Sequence, residues 1–490
     1  MEQNSSGSGF RIISVLVLAM LLWLVASRTQ HADVGQIATL PHLFHTRSAS
    51  EPSVRAAKYA FPGAPRGGTS SHAGGAPSAK PAPVAPEVPE PAAVVERSPA
   101  PVGHGMPVFD DIMNAVLKAR GIPGGALAIA KDGKLLVAQG YGLANVRTGE
   151  PVTIDTLFST AAVTKTITAA AALCLVDHGK LSLDDPIYSL LGKPRPLGRP
   201  AIDPQVEKIT VRHLLLHAGG WNTKFHSDVL GQTRKMSAAA AEKLPLSANT
   251  VLRYGLSQPL DFAPGTESHY SNFGYFLAKV VVERSARQPY ESYVRQQVLQ
   301  PLGIKEMRLE QLAPAYAARE AHRYGSGGRE LPGGRQAIAA PAGNWLASVV
   351  DLARFLTSLS GTGGKSLFSS ALRHQMLALP PPPLAARRGG EHLGLGWDAV
   401  IEDSRGIQYH KLGSAAGVRV YIEHRPDGID WVVLLNSDGQ AENQPPAAGE
   451  IIDKVRRAID ATRDWPDRNL FENPAAAPAA PKDPKGSVVM

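Results

Sequence analysis

The sequence predicts an α/β (α+β) fold: one antiparallel sheet assembled from both ends of a single large domain, flanked by helices, with a helical section to one side. Three observations predict it. Hairpin patterns stand at both ends of the foldable region, at 124–142 and 417–438. A helical run precedes the first hairpin and another follows the second. The long stretch between them reads mostly as helix, and segregated helices packed on an antiparallel sheet are the layer arrangement that suits this order.

The elements follow from local patterns. "FDDIMNAVLKAR" (109–120) is an amphipathic helix opened by acidic residues. "GGALAIAKDGKLLVAQGYG" (124–142) is two apolar runs around Lys131-Asp132-Gly133, the signature of a hairpin. "AVTKTITAAAALCLVD" is a run of helix formers that stops at His178-Gly179. "GVRVYIEHRPDGIDWVVLLNSD" (417–438) is a second hairpin, turned by Arg425-Pro426-Asp427-Gly428, and "AGEIIDKVRRAIDATRDW" closes the domain as a helix.

The flanks have a different character. Ile12–Ala26, "IISVLVLAMLLWLVA", is uncharged and lies between Arg11 and Arg28. It is short for a spanning helix and right for an export-signal core, so residues 1–28 are expected to be a signal peptide or an N-terminal membrane anchor. Residues 29–105 alternate Pro with Ala, Val and Glu after the Gly/Ser-rich "GGTSSHAGGAPS", a composition that cannot bury enough apolar surface to order itself. This is a linker. The domain is expected over 106–464 and a Pro/Ala-rich tail over 465–490, with the bulk of the chain periplasmic or extracellular.

The totals exclude several functions. The 490-residue chain has a net charge of +8, but its Lys and Arg are scattered and not interleaved with aromatics, which argues against nucleic acid. Cys174, the one cysteine, can make no internal disulfide and reads as a small buried hydrophobe. The 15 histidines show no metal-ligand spacing, and the Gly-rich segments lie outside the foldable region. Neither a metal nor a cofactor is implied.

Three segments carry chemistry. In Ala162-Val163-Thr164-Lys165, positions i and i+3 share a helix face, so a hydroxyl at 162 would meet the Lys165 amine. Tyr270-Ser271-Asn272 precedes "FGYFLAKVVVERSA" and points a phenol and an amide into one cleft. Lys411-Leu412-Gly413-Ser414 enters the second hairpin, where a cation and flexible backbone at a sheet edge suit a substrate carboxylate and an oxyanion. Taken singly, each has a plain reading: a surface lysine, a helix cap, a turn before a strand.

Together, in this order, they resemble the Ser-x-x-Lys, Tyr-x-Asn and Lys-Thr-Gly elements of the serine β-lactamase and penicillin-binding-protein family, with its related esterases and D-aminopeptidases. "ITVRHLLLHAGGWN" (209–222), "AGNWLASVVDLARFL" (342–356) and "LGLGWDAV" are similar to other segments of that family, and the likeness spans about 107–462. It implies a β-lactamase/transpeptidase-like fold. It also implies Lys165 as general base, Tyr270 as the phenol that passes a proton to the leaving group, and Asn272 as the amide that orients substrate. Lys411, Gly413 and Ser414 fall on the substrate-binding edge.

Two positions depart from the pattern. Leu412 stands where a hydroxylated or small residue is usual, which is expected to weaken carboxylate recognition. The nucleophile falls on Ala162, and no lysine in the chain has serine three residues before it. Three readings stay open at this point. One is an exported family member, inactive or impaired, whose cleft takes a small-molecule, peptide, β-lactam, ester-like or cell-wall-type ligand. Another is a working hydrolase in which the alanine is engineered, or bypassed by water or by Ser159, Thr160 or Thr164. The last is an anchored, non-enzymatic scaffold that meets the membrane through its N-terminal segment.

Overall fold

A computed structural model describes residues 102–472, apart from residue 200 and residues 225–227, 311–315, 334–343, 364–365, 385–389 and 440–446. The expected signal or anchor over 1–28 lies outside the described residues. Among the described residues no helix is long and apolar enough to cross a membrane.

The chain begins with β1 (Val102–His104), α1 (Pro107–Arg120), β2 (Gly124–Lys131) and β3 (Lys134–Asn145). Pro107 opens α1 in its first turn, and Gly121 at φ +61° closes it in the left-handed conformation that glycine adopts without strain. Asp132 and Gly133, at φ +49° and +81°, form the two-residue turn between β2 and β3; positive φ at both positions matches the twist of the paired strands. The short β4 (Phe158–Ser159) leads through a 3₁₀ turn, Ala161–Val163, into α2 (Thr164–Asp177).

The helical section contains α3 (Val211–Leu215), α4 (Thr233–Ala240), α5 (Ala248–Leu256) and α6 (Asn272–Ala286). Beyond it, β5 (Arg308–Leu309) and β6 (Trp345–Ala347) join β4 in a small sheet, ordered β4-β6-β5. Then come α7 (Val349–Ser360), β7 (His392–Gly394), β8 (Trp397–Asp403), β9 (Gly406–Ala415), β10 (Val418–His424), β11 (Ile429–Leu435) and α8 (Ala447–Ala461).

The main sheet runs β1-β3-β2-β11-β10-β9-β8-β7, all antiparallel, with a two-residue strand at Glu150–Pro151 on the flank of β3. Its seam is β2 against β11, with Gly125 opposite Leu435 and Lys131 opposite Ile429, so the two ends of the domain close one sheet as expected. The alternation in "GGALAIAK" sorts the two faces. Leu127 and Ile129 join the core under α1 and α8, with Phe109, Met113, Trp431 and Ile451. Ala126, Ala128 and Ala130 join the larger core that holds α2, α6 and α7. Every residue of α2 from Thr164 to Leu175 is buried. Apart from Lys165, "TKTITAAAALCL" is apolar or small on all sides, and such a run belongs inside a protein and not on its surface.

The packed chain exceeds the expected domain limits at both ends. Residues 102–104, expected in the linker, pair with β3, with Val102 opposite Gly140 and His104 opposite Ala138. Residues 465–472, expected in the tail, form a strap. Trp465 stacks on Phe109 with ring centres 6.0 Å apart. Arg468 donates to the carbonyls of Leu136, His104 and Gly105, and Leu470 is buried. A few widely spaced anchors in a polar, Pro-containing segment hold this strap, and they leave no periodic signal.

Candidate active site

The cleft is built around the entry to α2. Ala161 has φ +43°, a left-handed conformation that costs a non-glycine residue of order 1–3 kcal/mol, so its surroundings must enforce it. The N–H of Thr160 donates to the Trp345 carbonyl (2.8 Å), and that of Val163 to the Thr160 carbonyl (2.9 Å). These bonds hold the turn that carries Ala162. β9 presses against it: a Cβ at Gly413 would lie 2.8 Å from the Thr160 carbonyl oxygen and 3.3 Å from the Ala162 nitrogen. Only glycine lets this strand come so close to the backbone N–H at position 162.

Lys165 points from the first turn of α2 into the cleft and is 6 % exposed. Its Nζ donates to Asn272 Oδ1 at 2.8 Å and lies 4.7 Å from the centre of the Tyr270 ring. Burial lowers its pKa from 10.5 to about 8, against the opposing pull of Asp228 and Asp398. Tyr270 is 44 % exposed and faces the cleft. Even so, desolvation raises its phenol to about 12, Lys411 opposing, so the resting group is protonated.

Ser271 caps α6 by accepting from the Gly274 N–H (3.1 Å), so the helix cap and the site are the same feature. The N–H of Asn272 donates to Asp228 Oδ2 (2.8 Å), and Asp228 Oδ1 accepts from the Leu230 N–H (2.9 Å). This clamp fixes the amide that meets Lys165. Beside Tyr270, the tilted ring of His217 lies 4.8 Å away between ring centres and accepts from the Ser271 N–H through Nδ1 (3.1 Å). Desolvation, with Lys411 and Lys165 nearby, holds His217 well below its usual pKa, as a neutral ring.

On β9, Lys411 is 1 % exposed, with Nζ 2.5 Å from Asp398 Oδ1 and 6.0 Å from the centre of the Tyr270 ring. Burial opposes ionisation of Asp398, but the charge and hydrogen bond of Lys411 outweigh it and hold the carboxyl below its ordinary range. Strand β8 pairs with β9 only from Gly406 to His410, so 411–415 have no strand partner on that side, where the Leu412 N–H donates to Asp398 Oδ2 instead. Ser414 is exposed there.

The structure therefore brings Lys165, Tyr270, Asn272, Lys411 and Gly413 around Ala162. Leu412 behaves otherwise than expected. Its side chain packs against the α1–α8 core, on the face turned from the cleft, so its identity removes nothing from the site. His410, also within β9, has its ring 5.5 Å from Tyr421 on that same far face. The neighbouring hydroxyls are engaged or enclosed. Those of Thr160 and Thr164 bond each other at 2.8 Å, and Thr164 Oγ1 also accepts from the Trp345 N–H (3.1 Å). The Ser159 hydroxyl is buried with no partner. Cys174 is buried as expected, its thiol pushed up to about 12 by desolvation.

Asp228, Asp398 and His217 were not evident as site residues in the sequence. Asp398 stands inside "LGLGWDAV", where Gly396 approaches α2 so closely that a Cβ would meet Ala169 Cβ at 2.7 Å. Next to the cleft, a cavity of about 380 Å³ is lined by Trp221, Asn222, Asp228, Ser271, Arg199 and Lys235 among others.

A model of the beta-lactamase family matches residues 109–455, nearly the whole described domain. The chain belongs to the beta-lactamase family. Among curated relatives, it is 32 % identical over 369 residues to esterase EstB of Burkholderia gladioli, covering 69 % of this chain and 92 % of that one. It is similar to the octameric penicillin-binding protein homologue from Pyrococcus abyssi (26 % identity, 75 % of this chain and 78 % of that one, TM-score 0.57). The D-alanine carboxypeptidase AmpC of Burkholderia cenocepacia shares the fold at 21 % identity (73 % and 98 % covered, TM-score 0.56). In this beta-lactamase-family chain Ala162 carries no hydroxyl, and Lys165, Tyr270, Asn272 and Lys411 stand around the turn that holds it.

Proposed function

We propose that this chain is an exported member of the β-lactamase-related serine hydrolases whose cleft binds ester- or peptide-like carbonyl ligands but does not turn them over through an acyl-enzyme. The observation that carries the reading is Ala162 beside Lys165. The Lys165 amine, with a pKa lowered to about 8, suits removal of a hydroxyl proton, and residue 162 has no hydroxyl to give. Binding survives that loss. The Ala162 N–H and the edge of β9 form a cradle for a carbonyl oxygen, Asn272 is clamped, and Lys411 supplies a buried charge. Similarity to an esterase over most of both chains supports an ester-like ligand. The apolar stretch at 12–26 supports export.

Direct attack by water activated by Lys165 would forgo the covalent route and be slow. The paired test is labelling by a fluorophosphonate probe and a fluorescent penicillin. The unaltered chain should remain unlabelled, and Ala162→Ser should label in a manner that depends on Lys165. Labelling of the unaltered chain at a hydroxyl of the α2 entry, Ser159, Thr160 or Thr164, would overturn the reading. A folded serine variant that stays inert would favour the scaffold. Export is tested separately by fractionating cells that express the full chain.

A further inference from the structure

The cleft holds two lysines against one tyrosine, and they are held differently. Lys411 is locked to a carboxylate. Among the described residues no carboxylate forms an ion pair with Lys165; its hydrogen-bond partner is the neutral amide of Asn272. The other candidate nucleophiles are out of play: Thr160 and Thr164 bond each other, Ser159 is enclosed, and Tyr270 rests as a protonated phenol. With no hydroxyl at 162, the first nucleophile that a carbonyl carbon meets beyond the oxyanion cradle is the Lys165 amine.

We infer that Lys165 is an acyl acceptor: the cleft transfers the acyl group of a small activated ester once onto Nζ and keeps it as an amide. The inference rests on the reading that position 162 has no nucleophile. The nitrogen lone pair attacks the carbonyl carbon and a C–N bond forms. The C–O bond to the leaving group then breaks, and the oxygen departs with the electron pair. Tyr270, whose ring lies against Nζ, can give its proton to that oxygen and regain one from the nitrogen. The sum is ester plus amine to amide plus alcohol, and no further reactant is needed.

The geometry limits the acyl group. Lys165 is 6 % exposed and its Nζ lies 4.7 Å from the centre of the half-exposed Tyr270 ring, so a short acyl chain suits the approach better than a bulky one. The product is a dead end. An amide resists water, and acylation removes the charge that binds Asn272 Oδ1. The reaction is therefore a single stoichiometric event and not catalysis.

Selectivity among the lysines follows from desolvation. At pH 8 about half of Lys165 carries a free lone pair, against about 0.4 % of an ordinary exposed lysine, a ratio of roughly 100.

The test treats the full chain with equimolar p-nitrophenyl acetate at pH 8 and follows p-nitrophenolate release, intact mass and peptide mass. The expected result is a stoichiometric burst that stops, with acetyl on Lys165 stable to hydroxylamine and enriched about 10-fold over exposed lysines, because the lower nucleophilicity of a less basic amine offsets part of its free-base advantage. Lys165→Arg should abolish the enriched site. Because peptide mapping of the unaltered chain is decisive alone, a variant that fails to fold does not blunt the test. Acetyl spread over exposed lysines without enrichment at Lys165 overturns the inference, as does a hydroxylamine-labile label on Tyr270. Sustained release with no lasting label would instead overturn the non-catalytic reading on which the inference rests. If Ala162→Ser turns over the ester while the unaltered chain takes no label, the inference alone fails.

Discussion

The Lys411 ammonium lies 2.5 Å from the Asp398 carboxylate, and the same carboxylate accepts the Leu412 N–H at 3.1 Å through its other oxygen. A side chain of β8 thus fixes both the charge and the backbone of the strand that lines the cleft. Asp398→Asn leaves Lys411 buried without its counter-charge. We expect a loss of about 1–3 kcal/mol in urea unfolding, largely restored by adding Lys411→Met, since the cost lies in leaving the buried lysine without its partner. An unchanged unfolding midpoint for Asp398→Asn would show that buried Lys411 does not depend on this counter-charge.

In the Ala162→Ser background the site acquires its nucleophile with the partners already placed. Hydrolysis of a p-nitrophenyl ester should appear, and Tyr270→Phe in that background should lower kcat by about 10²- to 10⁴-fold, the range of one acid–base group. KM should change little, because the ring that packs on His217 and Lys165 remains. An effect on KM alone would assign Tyr270 to binding.

Lys165 makes stability depend on pH in a defined direction. Its pKa is about 8 in the folded chain and 10.5 when unperturbed. Between those values the unfolded chain binds more protons, so stability rises with pH across that window. Below pH 8 both states are protonated and the full penalty of burying the charge is present. Lys165→Met should therefore stabilise the protein by up to about 3 kcal/mol at pH 7, the gain fading as pH rises from 8 to 10.5. Urea titrations at several pH values measure it, and a pH-independent difference would refute the linkage.

The strap at 465–472 is part of the folded unit. Ending the chain after Asp464 removes the Trp465–Phe109 stack, the Arg468 bonds to the β1–α1 connection and the burial of Leu470. Leu470→Ala alone should cost about 2–5 kcal/mol, as for other buried leucines. Thermal unfolding of the two variants checks this, and a truncated chain as stable as the full one would return these residues to the tail.

Much of the fold was legible because its signals are local. Asp132-Gly133 and the alternation around it mark a two-residue hairpin wherever they occur, and a run as apolar as that of α2 has to be interior. The ends were not legible. A three-residue strand pairs through backbone, which every residue has, and the strap depends on side chains such as Trp465, Arg468, Asn469, Leu470 and Phe471 that form no periodic pattern. In the site, Lys165, Tyr270, Asn272 and Lys411 were found because each stands in a patterned segment. Asp228, Asp398 and His217 have partners distant in the chain; the segments that hold His217 and Asp398 carry the family likeness, but nothing in them marks these residues as part of the site, and nothing near Asp228 does.

By itself, then, the sequence determined the family, the order of the elements and the absence of a hydroxyl at 162, because motif spacing and residue identity are properties of the chain. The tertiary structure alone decided that Lys165 meets an amide and Lys411 a carboxylate, that Leu412 faces away from the cleft and that the Thr160 and Thr164 hydroxyls are already engaged. Charge state and availability depend on desolvation and on which groups are brought within about 3 Å, and folding sets both.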